Sequence, residues 1–499
     1  MLAWTIYISF LGVLALLLPK VTPRAARIIA LLTAVGGLAT TLGGFLHRSD
    51  GTMITIIRVP WIPSLGIEYH LAADGISLVL LLLTGIVAIA GVLFSWNIEY
   101  RTKEFFAFYL ALIGGVYGVF LSIDLFLLLV FYEIAIIPKY FLIAIWGSTR
   151  REYAAMKLAL YSFVGSAMVL IGLIAAYVVA GGKTMNLFDL SRFPFPLHFQ
   201  MWAFPLVFVG FGILAGLWPF HTWAPTGHVA APTAASMLLA GVVMKLGAYG
   251  CLRVAMTLFP RGLDSWGFHV LGFGSWRDVF ALLALIGIVY GAMVALVQQD
   301  FKFVIGYSSV SHMGFVLLGL MTLSQVGLTG AVLQMFSHGI LAGLLFAVVG
   351  RMVYDRTHTR DLAMLDKMHL YKFIPFAAAT FVIASMASIG LPGFSGFVAE
   401  LQVLIGAWSA FPLYAIGAGF GIVIGVAYTW RAMQKAFIGE AEGTSADHSL
   451  PPISIPERVG TLVLIGASLV IGLYPQLLLK MVIPALNSPL FSNLRKESW

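Results

Sequence analysis

Six ionisable side chains stand inside, or at the break of, long apolar runs. Glu133 and Lys139 share one run, Lys245 lies in a second, His312 and His338 in two more, and Glu400 just past a Gly-Leu-Pro-Gly turn. A lysine ammonium near a bilayer centre costs about 2.5–3.5 kcal/mol on insertion scales, so it is expected to face protein or internal water. A lone carboxylate in hydrocarbon tends to become neutral, whereas a nearby ammonium holds it ionised. Carrying a proton or cation past such groups changes their protonation, which is the physical basis of a relay. Histidine suits the middle of one, because small changes of surroundings move its titration across neutrality. Singly, each group has a plainer reading: a carboxylate joining two helices, or a histidine bonded to a carbonyl. Together, on five runs, they read as a route for an ion or proton.

Two of the runs that must position these groups are interrupted. The first breaks at Trp218-Pro219, within Met201–Phe259, and the second at Gly390-Leu-Pro-Gly393. Backbone groups freed by a break at membrane depth need partners other than lipid. Corresponding broken helices in two halves of a chain point to an inverted repeat with an ion site near the midplane. The plainer reading is two unrelated proline kinks.

The rest of the chain fits a bilayer. Of 499 residues, 60% are hydrophobic and 10% charged, with mean hydropathy +0.97. A soluble domain carries about 25% charged residues, so the expected class is an all-α polytopic membrane protein. About 14 apolar runs of spanning length are expected, near 2–18, 27–46, 76–95, 105–122, 124–146, 154–180, 201–230 (broken), 232–259, 278–297, 301–323, 325–350, 372–410 (broken), 414–437 and 458–479. The first run lacks a basic flank and a cleavage site, and reads as a retained helix. The expected divisions are 1–104, N-terminal helices; 105–259 and 260–440, two inverted five-helix repeats; and 441–499, a loop and C-terminal helix. The net charge of +8 does not call for nucleic acid, because the basic residues cluster between apolar runs and set topology. About 17 of the 29 fall on one side, which should be cytoplasmic with both termini outside; Arg48, Arg253, Arg495 and Lys496 are counted on the other. The single cysteine, Cys251, excludes a disulfide or a Cys-ligated cluster within the chain.

Several stretches are specific enough to suggest a family. Phe131–Gly147 (FYEIAIIPKYFLIAIWG), His221–Ser236 (HTWAPTGHVAAPTAAS), Tyr307–Phe315 (YSSVSHMGF), Ser337-His-Gly339, Arg356-Thr-His-Thr-Arg360 and Gly390–Glu400 (GLPGFSGFVAE) resemble the antiporter-like membrane subunits of respiratory complex I, NADH:quinone oxidoreductase. The likeness spans nearly the whole chain. The L-type subunit ends in a long lateral helix that this sequence lacks, and the N-type carries a lysine where Glu400 stands. The resemblance is therefore to the M-type (NuoM) branch.

That resemblance implies a proton-relay subunit driven by quinone reduction elsewhere in a complex. Glu133 would be the carboxylate of the first half-channel, Lys245 the central lysine, His312 and His338 the linking histidines, and Glu400 the exit-side carboxylate. No catalytic residue and no metal site is expected here. The chain shows no GxGxxG after a strand, no Walker A motif and no metal-ligand cluster. NADH, FMN, iron–sulfur clusters and quinone would belong to partner subunits. The implied partners are L-type and N-type antiporter-like chains and membrane lipid, with no nucleic acid, in the plasma (inner) membrane of a bacterium.

Two departures stand out. The family's lysine five residues before the first break is Leu214 here, and Pro225-Thr-Gly-His228 lacks the family's aspartate. Glu133 would then lack its usual partner, and Lys139 is read as a compensating charge. Six residues place Lys139 about 120° around the helix from Glu133, so a direct bridge along one face is not expected; snorkelling toward the cytoplasmic end is the plainer reading. Asp74-Gly-Ile-Ser77 is read as a helix cap, and Lys302 as pairing with Asp300 at a membrane boundary. Two other functions fit the same residues: an Mrp-type cation/proton antiporter or energy-converting hydrogenase membrane subunit, and a non-conducting spacer.

Overall fold

A computed structural model describes residues 1–47, 51–265, 272–439 and 450–494. Arg48, Arg495, Lys496 and residues 441–449 of the expected 441–499 division lie outside those residues. The helices follow the apolar runs: α1 Trp4–Leu17, α2 Pro23–Leu46, α3 Gly75–Phe94, α4 Thr102–Leu121, α5 Leu125–Trp146, α6 Arg151–Val179, α7 Leu197–Ala230 (broken), α8 Thr233–Met256, α9 Trp276–Val297, α10 Phe301–Met321 and α11 Gln325–Thr357. α12 is broken into arms Pro375–Ser388 and Ser395–Ala410, and α13 Pro412–Ile438, α14 Ile455–Leu473 and α15 Gln476–Leu486 complete the bundle. Twelve of these are long and apolar enough to cross a membrane; α1, the two α12 arms and α15 are shorter.

The lipid-facing helices and the core helices differ as composition requires. In α8 and α11 the most apolar stretch is fully buried, and in α3 it is 94% buried; in α13 only 28% is, leaving Leu413, Phe420 and Val423 outward. A helix apolar all round packs among other helices, while one side of a peripheral helix meets lipid. α3, α8 and α11 thus form the buried axis, with α4 on α5, α9 on α10, and α11 on the second arm of α12 around it. Small residues set the closest approach. A Cβ on Gly339 of α11 would stand 2.5 Å from the Gly241 carbonyl of α8, so the two backbones nearly touch.

One element departs from the all-helical expectation. Residues Ile54–Ile62 (β1) and Ile67–Ala73 (β2) form an antiparallel hairpin, register Ile54↔Ala73 to Ile62↔Ile67. The run of β-branched residues Ile54-Thr-Ile-Ile57 within a connector was the available signal. The hairpin delivers Asp74 to the start of α3, where its carboxylate accepts the Ser77 N–H at 2.9 Å as the cap expected there.

Both breaks occur where expected. In α7 the chain leaves the helix at Gly216 (φ +84°), and the Trp223 indole donates to the Ile213 carbonyl at 2.7 Å. In α12 Gly390 (φ +79°) and Gly393 (φ +99°) turn the chain, and the Leu391 N–H reaches the Met386 carbonyl at 3.0 Å. The freed backbone groups find protein partners, as membrane depth demands.

Candidate functional site

Lys245 stands in α8 directly after a wide π-helical turn, Leu239–Val243, a local widening that often marks functional helices. Its side chain is fully buried and folds back along that turn, as helical side chains lean toward the N-terminus, to the Ala240 carbonyl. From there Nζ reaches His338 Nδ1 on α11 at 2.8 Å. The close Gly241–Gly339 approach brings the two side chains within one hydrogen bond.

The file continues across the bundle. The His338 and His312 rings lie nearly parallel, centroids 5.4 Å apart. His312 Nδ1 is 3.2 Å from Glu400 Oε1, and its Nε2 is 3.1 Å from Ser388 Oγ on the first arm of α12. Gln334, one turn before His338, sets its amide 3.4 Å from both Glu400 and His312. The break holds the carboxylate in place: a Cβ on Gly390 would be 3.0 Å from Glu400 Oε2. Four of the six residues singled out in the sequence, Lys245, His338, His312 and Glu400, therefore form one contiguous line.

The other two do not join it. Glu133 is half-buried, not fully enclosed, and makes no ion pair among the described residues. Lys139 is fully buried, which removes the snorkelling reading, and its ammonium has no hydrogen-bond partner among the described residues. No bridge joins the two, as the 120° offset anticipates. Leu214, where the family's lysine would stand, is packed at 1% exposure.

Two readings of basic residues are corrected. Arg253, counted with an outer connector, is wholly buried in α8 and clamps Asp74 with two bonds of 2.6 and 2.7 Å. It lies eight residues after Lys245 on a neighbouring face, inside the same apolar run, and that position was the available signal. Lys302 does not pair with Asp300; its ammonium donates to the Ala231 carbonyl at 3.1 Å, at the α7–α8 junction, while Asp300 pairs with Arg360 at 3.2 Å. Gln334 and Ser388 were also missed, since neutral polar residues in apolar runs are common packing. His228 completes the neighbourhood: buried, against Phe346, with neither ring nitrogen bonded among the described residues.

A broken-helix membrane bundle with a buried Lys–His–His–Glu line defines a polytopic, antiporter-like protein. Residues 122–425 match the family described as NADH:quinone oxidoreductase/Mrp antiporter, transmembrane, and the chain belongs to that family, as an M-type member. It is 36% identical over 496 residues to the NADH-quinone oxidoreductase subunit M of Escherichia coli (strain K12), covering 95% of each chain. To that of Rhodobacter capsulatus it is 35% identical over 478 residues, 93% of this chain and 90% of the relative. A chain in the respiratory complex I of Thermus thermophilus matches with TM-score 0.88 at 28% identity, covering 99% of this chain and 100% of that one. A chain of the Mrp complex from Dietzia sp. DQ12-45-1b matches with TM-score 0.84 at 21% identity, covering 98% and 97%, a likeness of fold alone.

Proposed function

We propose that this chain is the M-type proton-translocating membrane-arm subunit of an NADH:quinone oxidoreductase. The observation that carries the reading is the Lys245–His338–His312–Glu400 line, from the buried axis to the second break. A proton arriving on Lys245 faces His338 across a single hydrogen bond. Two unit charges 4 Å apart interact by about 4 kcal/mol at an effective dielectric of 20, so charging one site drives the next to release. His312 passes the proton to Glu400, which the break exposes to a different set of neighbours.

Lys139 supplies the buried positive charge of the Glu133 side. The end bearing Arg351, Arg356, Arg431 and Lys435 faces the cytoplasm, with both termini outside. NADH, FMN, iron–sulfur clusters and quinone act on partner subunits, and the flanking chains are L-type and N-type antiporter-like subunits. Redox chemistry takes place elsewhere, and this chain receives its energy through the membrane arm.

The test replaces Lys245→Met and Glu400→Gln in the assembled complex. Proton pumping and NADH oxidation are then measured in inverted membrane vesicles. Loss of the pumping share with retained assembly supports the reading. A spacer would tolerate both changes, and that result would overturn it.

A further inference from the structure

Three serines lie beside the line just described, one on each of three helices, and none of them takes part in it. Ser337 Oγ on α11 is 2.9 Å from Ser395 Oγ, and Ser395 Oγ is 3.0 Å from Ser468 Oγ on α14. Each serine is 1% exposed. Ser395 opens the second arm of α12, five residues before Glu400, and Ser337 directly precedes His338. Serine hydroxyls bonded from helix to helix are a recurrent tie inside membranes. Here the tie joins the arm that carries Glu400 to the helix that carries His338, the two walls between which the His312 ring lies.

The arm meets α11 at three levels. Ser395 faces Ser337, the Glu400 carboxylate lies 3.4 Å from the Gln334 amide, and a Cβ on Gly330 would stand 2.7 Å from the Val403 nitrogen. These contacts step forward along the arm and backward along α11, so the two run antiparallel, with Glu400 held between a serine tie and a glycine contact. α14 backs the serine end. Ser468 and Gly472 are one turn apart on one face of α14, and a Cβ on Gly472 would collide with the Gly393 carbonyl at the break. Proton transfer needs donor and acceptor within about 2.6–3.2 Å. His312 Nδ1 and Glu400 Oε1, at 3.2 Å, stand at the far edge of that window. A slide of the arm by about 0.5 Å, the tolerance of a working site, takes the pair out of reach.

We propose that Ser468 is a positioning residue for this transfer. Through Ser395 it fixes the arm of Glu400 against α11, which makes α14 a working part of the relay. It rests on the reading that the Lys245–Glu400 line carries protons. No proton passes through the serines; they set a distance. Without the Ser468 hydroxyl, Ser395 keeps only its bond to α11, the arm turns about that single tie, and Glu400 draws away from His312.

Threonine and valine share one shape and differ by a hydroxyl, so Ser468→Thr and Ser468→Val carry the same added bulk. In inverted vesicles holding the whole complex, Ser468→Val should lose most of the share of the proton-to-electron ratio that Glu400→Gln loses, with NADH oxidation in uncoupled membranes retained. Ser468→Thr should keep that share. Ser468→Ala, which adds no bulk, should fall with Ser468→Val. A packing role alone would not separate Ser468→Thr from Ser468→Val. If Glu400→Gln loses its share while Ser468→Val and Ser468→Ala pump as wild type, or if Ser468→Thr falls as far as Ser468→Val, the positioning role is overturned and the relay stands. If Glu400→Gln itself pumps normally, both fall.

Discussion

The Lys245 ammonium lies 2.8 Å from His338 Nδ1, although the two residues are 93 positions apart. A lysine facing a histidine, and not a carboxylate, is an unstable place for a second proton. One charge on the pair is easily held; two repel. Each helix contributes the approach through a glycine, Gly241 on α8 and Gly339 on α11.

The first prediction follows from that approach. Gly339→Ala places a Cβ against the Gly241 carbonyl and the Leu83 side chain, so α8 and α11 must separate by a few tenths of an ångström or more. Overpacking of this kind costs about 1–3 kcal/mol. Thermal unfolding of the purified complex should shift downward. Pumping should fall, because the Lys245–His338 bond lengthens. Wild-type pumping in a stable, assembled variant would show that the bond length is not limiting.

At the second break, Gly390 combines positive φ with contact to the carboxylate. Gly390→Ala strains the backbone and presses on Glu400 Oε2. The expected outcome is loss of pumping out of proportion to loss of assembly, read as the proton-to-electron ratio against the amount of complex in a native gel.

Lys139 is a buried cation with no hydrogen-bond partner among the described residues. Lys139→Met keeps the volume of its stem and removes the charge. If it serves Glu133, pumping drops; because a buried ammonium without a partner is destabilising, the variant should unfold at equal or higher temperature. Unchanged pumping would remove Lys139 from the mechanism.

The Asp74–Arg253 pair ties the start of α3 to the C-terminal end of α8, with both side chains at 0% exposure. Removing one partner leaves the other charge buried, a loss of about 3–5 kcal/mol. Asp74→Asn or Arg253→Leu should therefore lower the complex's thermal midpoint sharply. The double replacement Asp74→Leu with Arg253→Leu should recover part of the loss, and a double-mutant cycle measures how much.

The β1–β2 hairpin should respond to pH. His70 is buried and accepts the Asn186 amide on Nδ1 at 2.7 Å, leaving Nε2 3.2 Å from Thr55. Burial, with the charge of Arg58, lowers its pKa below the ordinary 6.5, against smaller opposing effects of Glu68 and Asp189. A histidine kept neutral by folding contributes stability that is complete above pH 6.5 and fades as pH falls toward its depressed folded value. Glu68 acts in the same sense at lower pH. Burial opposes its ionisation, but the hydrogen bonds from Arg58 and Asn186 outweigh it and hold the carboxylate below its ordinary value. Protection factors for amide exchange over residues 54–73, taken against the intrinsic rate at each pH, should fall between pH 7.5 and 5.5, and His70→Gln should flatten that change.

Much of this protein is written in its sequence, for a reason specific to membranes. In hydrocarbon every charge and every helix break is expensive, so Lys245, Glu400 and the turns at Pro219 and Gly390–Gly393 announce themselves without a structure. The helical runs follow from apolar length in the same way. What tertiary structure alone decided is which costly groups meet. Lys245 turns to His338, Arg253 closes on Asp74 from 179 positions away, Lys302 leaves Asp300 for the Ala231 carbonyl, and Glu133 stays half-exposed while Lys139 has no hydrogen-bond partner among the described residues. Those choices depend on how far each helix is rotated and how closely two backbones approach. Both are set by the glycines and side chains of the facing helix, so neither can be read along a single run.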